Sequence, residues 1–123
     1  MGMSTIAKFT DLVTWKEAHK LVLMSYGLLN KFPKNETFAL CDQTRRCAVS
    51  ISANIAEGFS RHGKKEKLQF YFISKGSLTE LENHFLVARD LGYIDIGEFN
   101  KIKLQMDYVG RLLTGLMRAV YRI

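Results

Sequence analysis

Apolar residues in the last quarter of the chain recur in alternating steps of three and four, and this pattern constrains the fold most. The series comprises Phe99, Ile102, Met106, Val109, Leu113, Leu116 and Val120. A seam with this spacing is typical of helices that pack in left-handed bundles. Helical periodicity also runs through the rest of the chain, which holds a single proline in 123 residues. The sequence therefore predicts an all-α protein.

Stop signals divide the chain into four predicted helices. Pro33 ends the first helix, because the residue before a proline is pushed out of the helical region. Gly58 and Gly92 mark the ends of the second and third helices, since glycine readily adopts the left-handed conformation of a C-cap. The resulting helices run over about 11–32, 37–58, 64–91 and 96–122.

Start signals support the same division. Asp11 can cap the first helix, and Asp95 followed by Glu98 has the spacing of a capping box before the fourth. The connections between the helices are short, so consecutive helices should pack as antiparallel neighbours. We expect residues 1–123 to form a single domain, an antiparallel up-down-up-down four-helix bundle.

The second predicted helix carries its polar residues on one narrow stripe and small or apolar residues almost everywhere else. At about 100° per residue, this polar stripe contains Gln43, Arg46, Ser50, Asn54 and Glu57. A helix of this kind is packed on more than one side, which indicates an interaction protein. We interpret the polar stripe as a structural network, in which Ser77, Glu80 or Lys75 on the third helix satisfies Arg46 and Glu57. Contact with a ligand or RNA is the alternative.

The third predicted helix carries a second apolar stripe opposite its main face. This stripe contains Leu68, Phe72, Thr79 and Leu86 and is interrupted only by Lys75. Because two successive helices show the same apolar excess, we expect Leu68, Phe72 and Leu86 to contribute to a subunit interface. A wide core face with scattered exposed apolar groups is the alternative interpretation.

The net charge of +6 is concentrated at one end of the predicted bundle. Seven cations and two anions give that end a charge of +5, whereas the opposite end carries −1. Such an end can bind phosphates without reading sequence. Only Phe59 and Tyr121 lie near it, so we expect no aromatic platform for stacking bases. The candidate nucleic-acid-binding residues are Arg61, Lys64, Lys65, Lys67, Arg118 and Arg122. A solvated basic loop is the alternative.

Motifs for catalysis and metal binding are not recognisable in the chain. The cluster of Glu80, Glu82 and His84 lacks the spacing of a di-iron bundle site, and no paired cysteine motif for zinc occurs. Cys41 and Cys47 cannot bridge each other within one helix, which suits two core thiols in a reducing cytoplasm. We therefore expect a cytoplasmic protein without catalytic residues, metal or cofactor, and without a membrane-spanning segment.

Several sequence segments together resemble a known bacterial family. They are Asp11–Ala18, Phe32–Pro33, Gln43–Arg46, Ser50–Gly58, Lys75–Ser77 with Glu80, and Ala88–Ile94. The chain resembles, over about residues 11–115, the four-helix-bundle proteins encoded by intervening sequences in 23S rRNA genes, a family similar to the accessory variability determinant of diversity-generating retroelements. Ser52 stands where the family commonly has proline, and Cys47 where it usually has alanine.

The resemblance implies a homopentameric ring, often with a basic surface proposed to bind nucleic acid, and no enzymatic activity. Combining it with the charge distribution, we expect an oligomer that binds RNA or DNA non-specifically through its basic end. One alternative is an adaptor for a nucleic-acid enzyme such as a reverse transcriptase. Another is an assembly protein with no role in nucleic-acid binding.

Overall fold

The protein is an all-α four-helix bundle, as the periodicity predicted. A computed structural model describes residues 5–122, and this part of the chain contains no β-strand. The helices are α1 (Val13–Leu29), α2 (Leu40–Ser60), α3 (Lys64–Asp90) and α4 (Ile96–Tyr121), with short 3-10 helices at Phe9–Asp11 and Lys34–Glu36. None of the helices within residues 5–122 is long and apolar enough to cross a membrane.

Side-chain contacts between α2 and α3 show that these two helices run in opposite directions. Near the start of α2, the Thr44 Oγ1 atom lies 3.3 Å from Nδ1 of His84, which is in the second half of α3. Further along α2, the Ile51 carbonyl accepts a hydrogen bond of 2.8 Å from Ser74, which lies earlier in α3. Residue numbers increase along α2 in the direction in which they decrease along α3, so the two helices are antiparallel.

Helix α4 makes contacts of the same kind with α1. Gln105 donates hydrogen bonds to the backbone carbonyl and the carboxylate of Glu17, at 2.9 and 3.0 Å. Towards the other end of the two helices, Lys31 is ion-paired with Glu98. These pairs give α1 and α4 opposite directions too, so the start of α1 and the end of α4 lie at the same end of the bundle.

The predicted seam of α4 lies in the core, with one shift near its end. Val109 and Leu113 are completely buried, but the next buried position is Met117 rather than Leu116, which is only half-buried. The reason is that a straight helix turns once in 3.6 residues and drifts away from a strict 3.5-residue repeat.

Two of the predicted helix termini have the expected geometry. Asp95 accepts a hydrogen bond from the backbone of Glu98, whose carboxylate accepts one in return, so the capping box is confirmed. Gly92, after the end of α3, has φ = +80°, the left-handed conformation that favours glycine.

The predicted cap of α1 is wrong. The residue before α1 is Leu12, and it provides no side-chain cap. The Asp11 carboxylate instead accepts hydrogen bonds from the backbone nitrogens of Lys8 and Ala7, at 2.9 and 3.0 Å. These two bonds lower the pKa of Asp11. Asp11 therefore stabilises the 3-10 helix that precedes α1.

Gly58 does not end α2, which continues to Ser60. The glycine is buried where α2 crosses α3, and a Cβ atom there would lie only 2.5 Å from Cε1 of Tyr71. The absence of a side chain at position 58 thus allows α2 and α3 to approach each other closely.

Candidate nucleic-acid interface

The six predicted nucleic-acid-binding residues lie at one end of the bundle, which we call the basic end. Four of them lie in the connection from α2 to α3 or in the first turn of α3, and the other two lie in or just after the last turn of α4. They are Arg61, Lys64, Lys65, Lys67, Arg118 and Arg122; all are exposed except Lys67, which is half-buried. The structure therefore places these residues where the charge pattern predicted them.

Lys67 makes contacts that are structural. Its ammonium donates hydrogen bonds to the carbonyls of Phe59 and Gly58, at 2.8 and 3.3 Å, and lies 5.5 Å from the centre of the Phe59 ring. Carbonyls at the end of a helix lack intrahelical donors, and a positive charge there is favourable. Lys67 thus caps the end of α2, and little of its charge is directed to solvent.

Arg61 is also engaged within the chain. Its guanidinium is 3.2 Å from the carboxylate of Glu57 and 3.9 Å from that of Glu66, and it lies over the ring of Phe70 at 4.8 Å. Two acidic neighbours offset its charge, so Arg61 contributes less to the potential of the basic end than its position in the sequence indicates.

Arg118 and Arg122 are one helical turn apart at the end of α4, and Arg118 lines a groove between α3 and α4. We call this the α3–α4 groove; it is lined by Lys75, Leu78, Thr79, Glu82, Met106, Asp107, Gly110, Arg111, Thr114 and Arg118. Sequence reasoning missed Lys75 and Arg111 as members of the basic surface. The signal was present in the spacing, because Arg111, Arg118 and Arg122 recur at steps of seven and four and so share one face of α4.

The basic end is richer in aromatic side chains than the sequence indicated. Phe70 lies beneath Arg61. Near the start of α1, the ring of Phe9 contacts the ring of Trp15 edge-on, with 5.3 Å between the ring centroids. Trp15 in turn stacks on His19, with 4.9 Å between the centroids. The expectation that only Phe59 and Tyr121 lie nearby is therefore wrong. The 3-10 helix returns Phe9 to Trp15, and periodicity within α1 alone does not show this.

The centre of the polar stripe joins α2 to α3, as the structural interpretation held. Ser50 and Ser77 hydroxyl oxygens lie 2.9 Å apart, and the Asn54 amide donates to the Ser50 carbonyl and hydroxyl at 2.8 and 3.0 Å. Cys47 donates to the Ser77 carbonyl at 2.9 Å. These side chains are buried or half-buried and belong to the packing of the bundle.

The residues at the ends of the polar stripe do not make the predicted contacts with α3. Arg46 is ion-paired with Asp42 at 3.1 Å, and Glu57 with Arg61, each four residues away on the same stretch of chain. Gln43 is exposed. The predicted satisfaction of Arg46 and Glu57 by Ser77, Glu80 or Lys75 is wrong, because both side chains pair instead with charged residues one helical turn away on the same stretch of chain.

The predicted interface stripe of α3 lies on the side of that helix that faces α4. Leu68 is buried in the core of the chain and Leu86 packs against it, whereas Phe72 is 51% exposed. Leu68 is therefore not available to a second subunit, and its place in the predicted interface is wrong. Phe72 alone of the three is substantially open to solvent.

The two cysteines are free and buried. Burial raises the pKa of Cys47 to about 12, with a further contribution from Glu80, and burial also raises the pKa of Cys41. Neither thiol is suited to nucleophilic chemistry. Within residues 5–122, no three His, Cys, Asp or Glu side chains converge in a way that could hold a metal ion.

Comparisons with known proteins agree with this architecture. The chain is similar to a protein of unknown function from the S23 ribosomal protein family of Bacteroides thetaiotaomicron, whose crystal structure was determined at 1.70 Å resolution. The TM-score is 0.79 at 18% sequence identity, and the match covers 85% of this chain and 98% of the other. A comparison with curated proteins finds no match.

A family-level match covers most of the sequence. The model of the 23S rRNA-intervening sequence protein family matches residues 10–115, which include nearly all of the four helices and every segment on which the resemblance was based. The chain therefore belongs to the 23S rRNA-intervening sequence protein family.

Proposed function

We propose that this protein is a non-enzymatic, oligomeric helical bundle that binds RNA or DNA non-specifically through its basic end. The observation that carries the proposal is the exposure of Lys65, Arg118 and Arg122 at one end of a chain whose net charge is +6. Phosphates are the same in every sequence, so contacts of this kind give affinity without base specificity.

The family assignment is compatible with this function but does not supply it. The residues that remain for phosphate binding, once Lys67 and Arg61 are assigned to contacts within the chain, are on the outer face of α4 and the first turn of α3. We also propose that the protein acts in the cytoplasm, where glutathione and thioredoxin would keep Cys41 and Cys47 reduced.

The test is fluorescence anisotropy with labelled RNA and DNA over a range of salt concentrations. We expect the double variant Lys65→Glu/Arg122→Glu to lose at least tenfold in affinity, because two phosphate contacts are replaced by repulsion. Lys34→Glu/Lys101→Glu is the matched control, since it changes the net charge equally at exposed positions of the opposite end. Equal losses in both variants, or no binding by the wild type, would refute the proposal.

Oligomerisation is supported by apolar side chains that the single chain leaves open. Phe38 is 94% exposed, Leu104 72% and Leu23 60%, and burying these side chains against a second chain would remove apolar surface from water. Light scattering should therefore give a mass several times the 14.1 kDa of one chain. A monomer would favour the alternative that these side chains receive another protein, as in an adaptor.

A further inference from the structure

We propose that the α3–α4 groove binds the sugar–phosphate backbone of single-stranded nucleic acid and extends the basic end along the side of the bundle. This inference rests on the proposed function and adds to it both the strandedness of the ligand and the path that the ligand follows.

The cations along the groove form a row on α4, with one further cation on α3. Arg111 and Arg118 are seven residues apart on α4, which is about 10 Å at 1.5 Å per residue, and Arg122 lengthens the row to about 16 Å. Lys75 lies on the opposite wall, on α3, and Thr114 on α4 adds a hydroxyl between the two arginines. Cations on both walls with a hydroxyl donor between them suit a chain of successive phosphates.

The charge along the groove is asymmetric, because acidic residues lie at the end farther from the basic end. Glu82 and Asp107 line the groove beyond Arg111. Lys103 pairs with both, at 3.6 Å from the Glu82 carboxylate and through a hydrogen bond to Asp107 that raises the pKa of Lys103. Two carboxylates against one ammonium leave a negative charge there. A phosphate chain is therefore attracted from the basic end as far as Arg111 and repelled beyond it.

The shape of the groove favours a single strand. Its floor is formed by Leu78, Met106 and Gly110, and a Cβ on Gly110 would already touch Leu78 at 3.5 Å. Packed helices are separated by only about 8–10 Å between axes. A duplex holds its two strands apart by the width of a base pair and cannot lie within such a groove, whereas one strand can. The exposed ring of Phe72, three residues before Lys75 on α3, offers a surface for an unstacked base.

Charge and shape together favour nucleic acid over an acidic protein. A single strand carries regularly spaced phosphates beside bases that can stack, and the groove presents cations beside an exposed aromatic ring. An acidic peptide would satisfy the cations but would leave Phe72 without a matching group.

The test compares the full-length protein with Lys75→Gln/Arg111→Gln in binding a 12-nucleotide single strand and a 12-base-pair duplex. We expect the wild type to prefer the single strand, and the variant to bind it at least fivefold more weakly. The dependence of log K on log salt should also become less steep by about 1.4, at roughly 0.7 for each lost phosphate contact. Lys34→Gln/Lys101→Gln is the control and should bind within twofold of the wild type; circular dichroism verifies folding.

Each other outcome has a defined meaning. If the groove variant binds the single strand as tightly as the wild type does, the groove is not the path, although binding at the basic end would stand. Equal or tighter binding of the duplex by the wild type would overturn the single-strand assignment. Competition by polyglutamate as effective as by the oligonucleotide, and equally dependent on Lys75 and Arg111, would assign the groove to an acidic protein. If the wild type binds no nucleic acid at all, the proposed function itself fails.

Discussion

The ring of Tyr71 occupies the space that any side chain at position 58 would need. A Cβ atom on Gly58 would lie 2.5 Å from Cε1 and 2.8 Å from Cδ1 of this ring, which is 1% exposed and fixed in the core. Neither partner has room to move, because α2 and α3 are held against each other by hydrogen bonds along their length. The close approach of the two helices at the basic end thus requires glycine at position 58.

We expect Gly58→Ala to destabilise the protein by about 1–3 kcal/mol, the usual cost of overpacking a core. Chemical denaturation followed by circular dichroism measures the effect. Gly76→Ala is the matched control: this glycine is inside α3, and a Cβ there would meet nothing within 4 Å. The control should stabilise the protein by about 0.5–1 kcal/mol, because alanine is the better helix former. Equal effects of the two substitutions would contradict the packing explanation.

Lys67→Met should reduce the free energy of unfolding by about 1 kcal/mol, since the variant keeps much of the aliphatic chain but loses two hydrogen bonds to the carbonyls of Phe59 and Gly58. Nucleic-acid affinity should fall by less than twofold, because this ammonium already acts as a helix cap. Lys65→Met is the comparison, and we expect the opposite result, with weakened binding and unchanged stability. Anisotropy and denaturation on the same samples separate the two roles.

The pKa of Asp11 should be below its ordinary value of 3.8 in an NMR titration, because the backbone N–H groups of Lys8 and Ala7 stabilise the carboxylate. A lowered pKa in the folded state means that the unfolded state binds the proton more tightly. The contribution of Asp11 to stability is therefore present above the ordinary pKa and is lost as the pH falls through the folded-state value. Asp11→Asn should remove this part of the acid dependence. A pKa at or above the ordinary value would show that the two hydrogen bonds do not form.

Cys47 should resist alkylation by iodoacetamide at pH 8 in the native protein, because its pKa is raised to about 12 by burial and its sulfur is hydrogen-bonded to the Ser77 carbonyl. In concentrated urea both cysteines should react at the rate of ordinary thiols. Mass spectrometry of the time course checks this, and Cys47→Ala distinguishes the two sites. Rapid modification of Cys47 without denaturant would contradict its place in the core.

Periodicity and local signals predicted the number of helices and several of their ends. They could not predict the contacts between helices. The Asp95–Glu98 capping box and the left-handed Gly92 depend only on neighbouring residues, and both were predictable. Gly58 was assigned to a helix end because nothing local reveals that Tyr71 crosses it.

The same distinction explains the errors at the candidate site. Leu68 lies opposite the main apolar face on a helical wheel of α3, yet it is buried in the core of the bundle. Lys75 and Arg111 are far apart in the sequence, and only the packing of α3 against α4 makes them opposite walls of one groove. Charge counting located the basic end of the molecule but could not separate Lys67, which is a cap, from Lys65, which is exposed.

The stacking of Trp15 on His19 gives the basic end its own optical signal. The chain contains one tryptophan, so its fluorescence reports solely on the start of α1. Approach of a ligand, entry of a second subunit or loss of the 3-10 helix that carries Phe9 would each alter this emission without any added label.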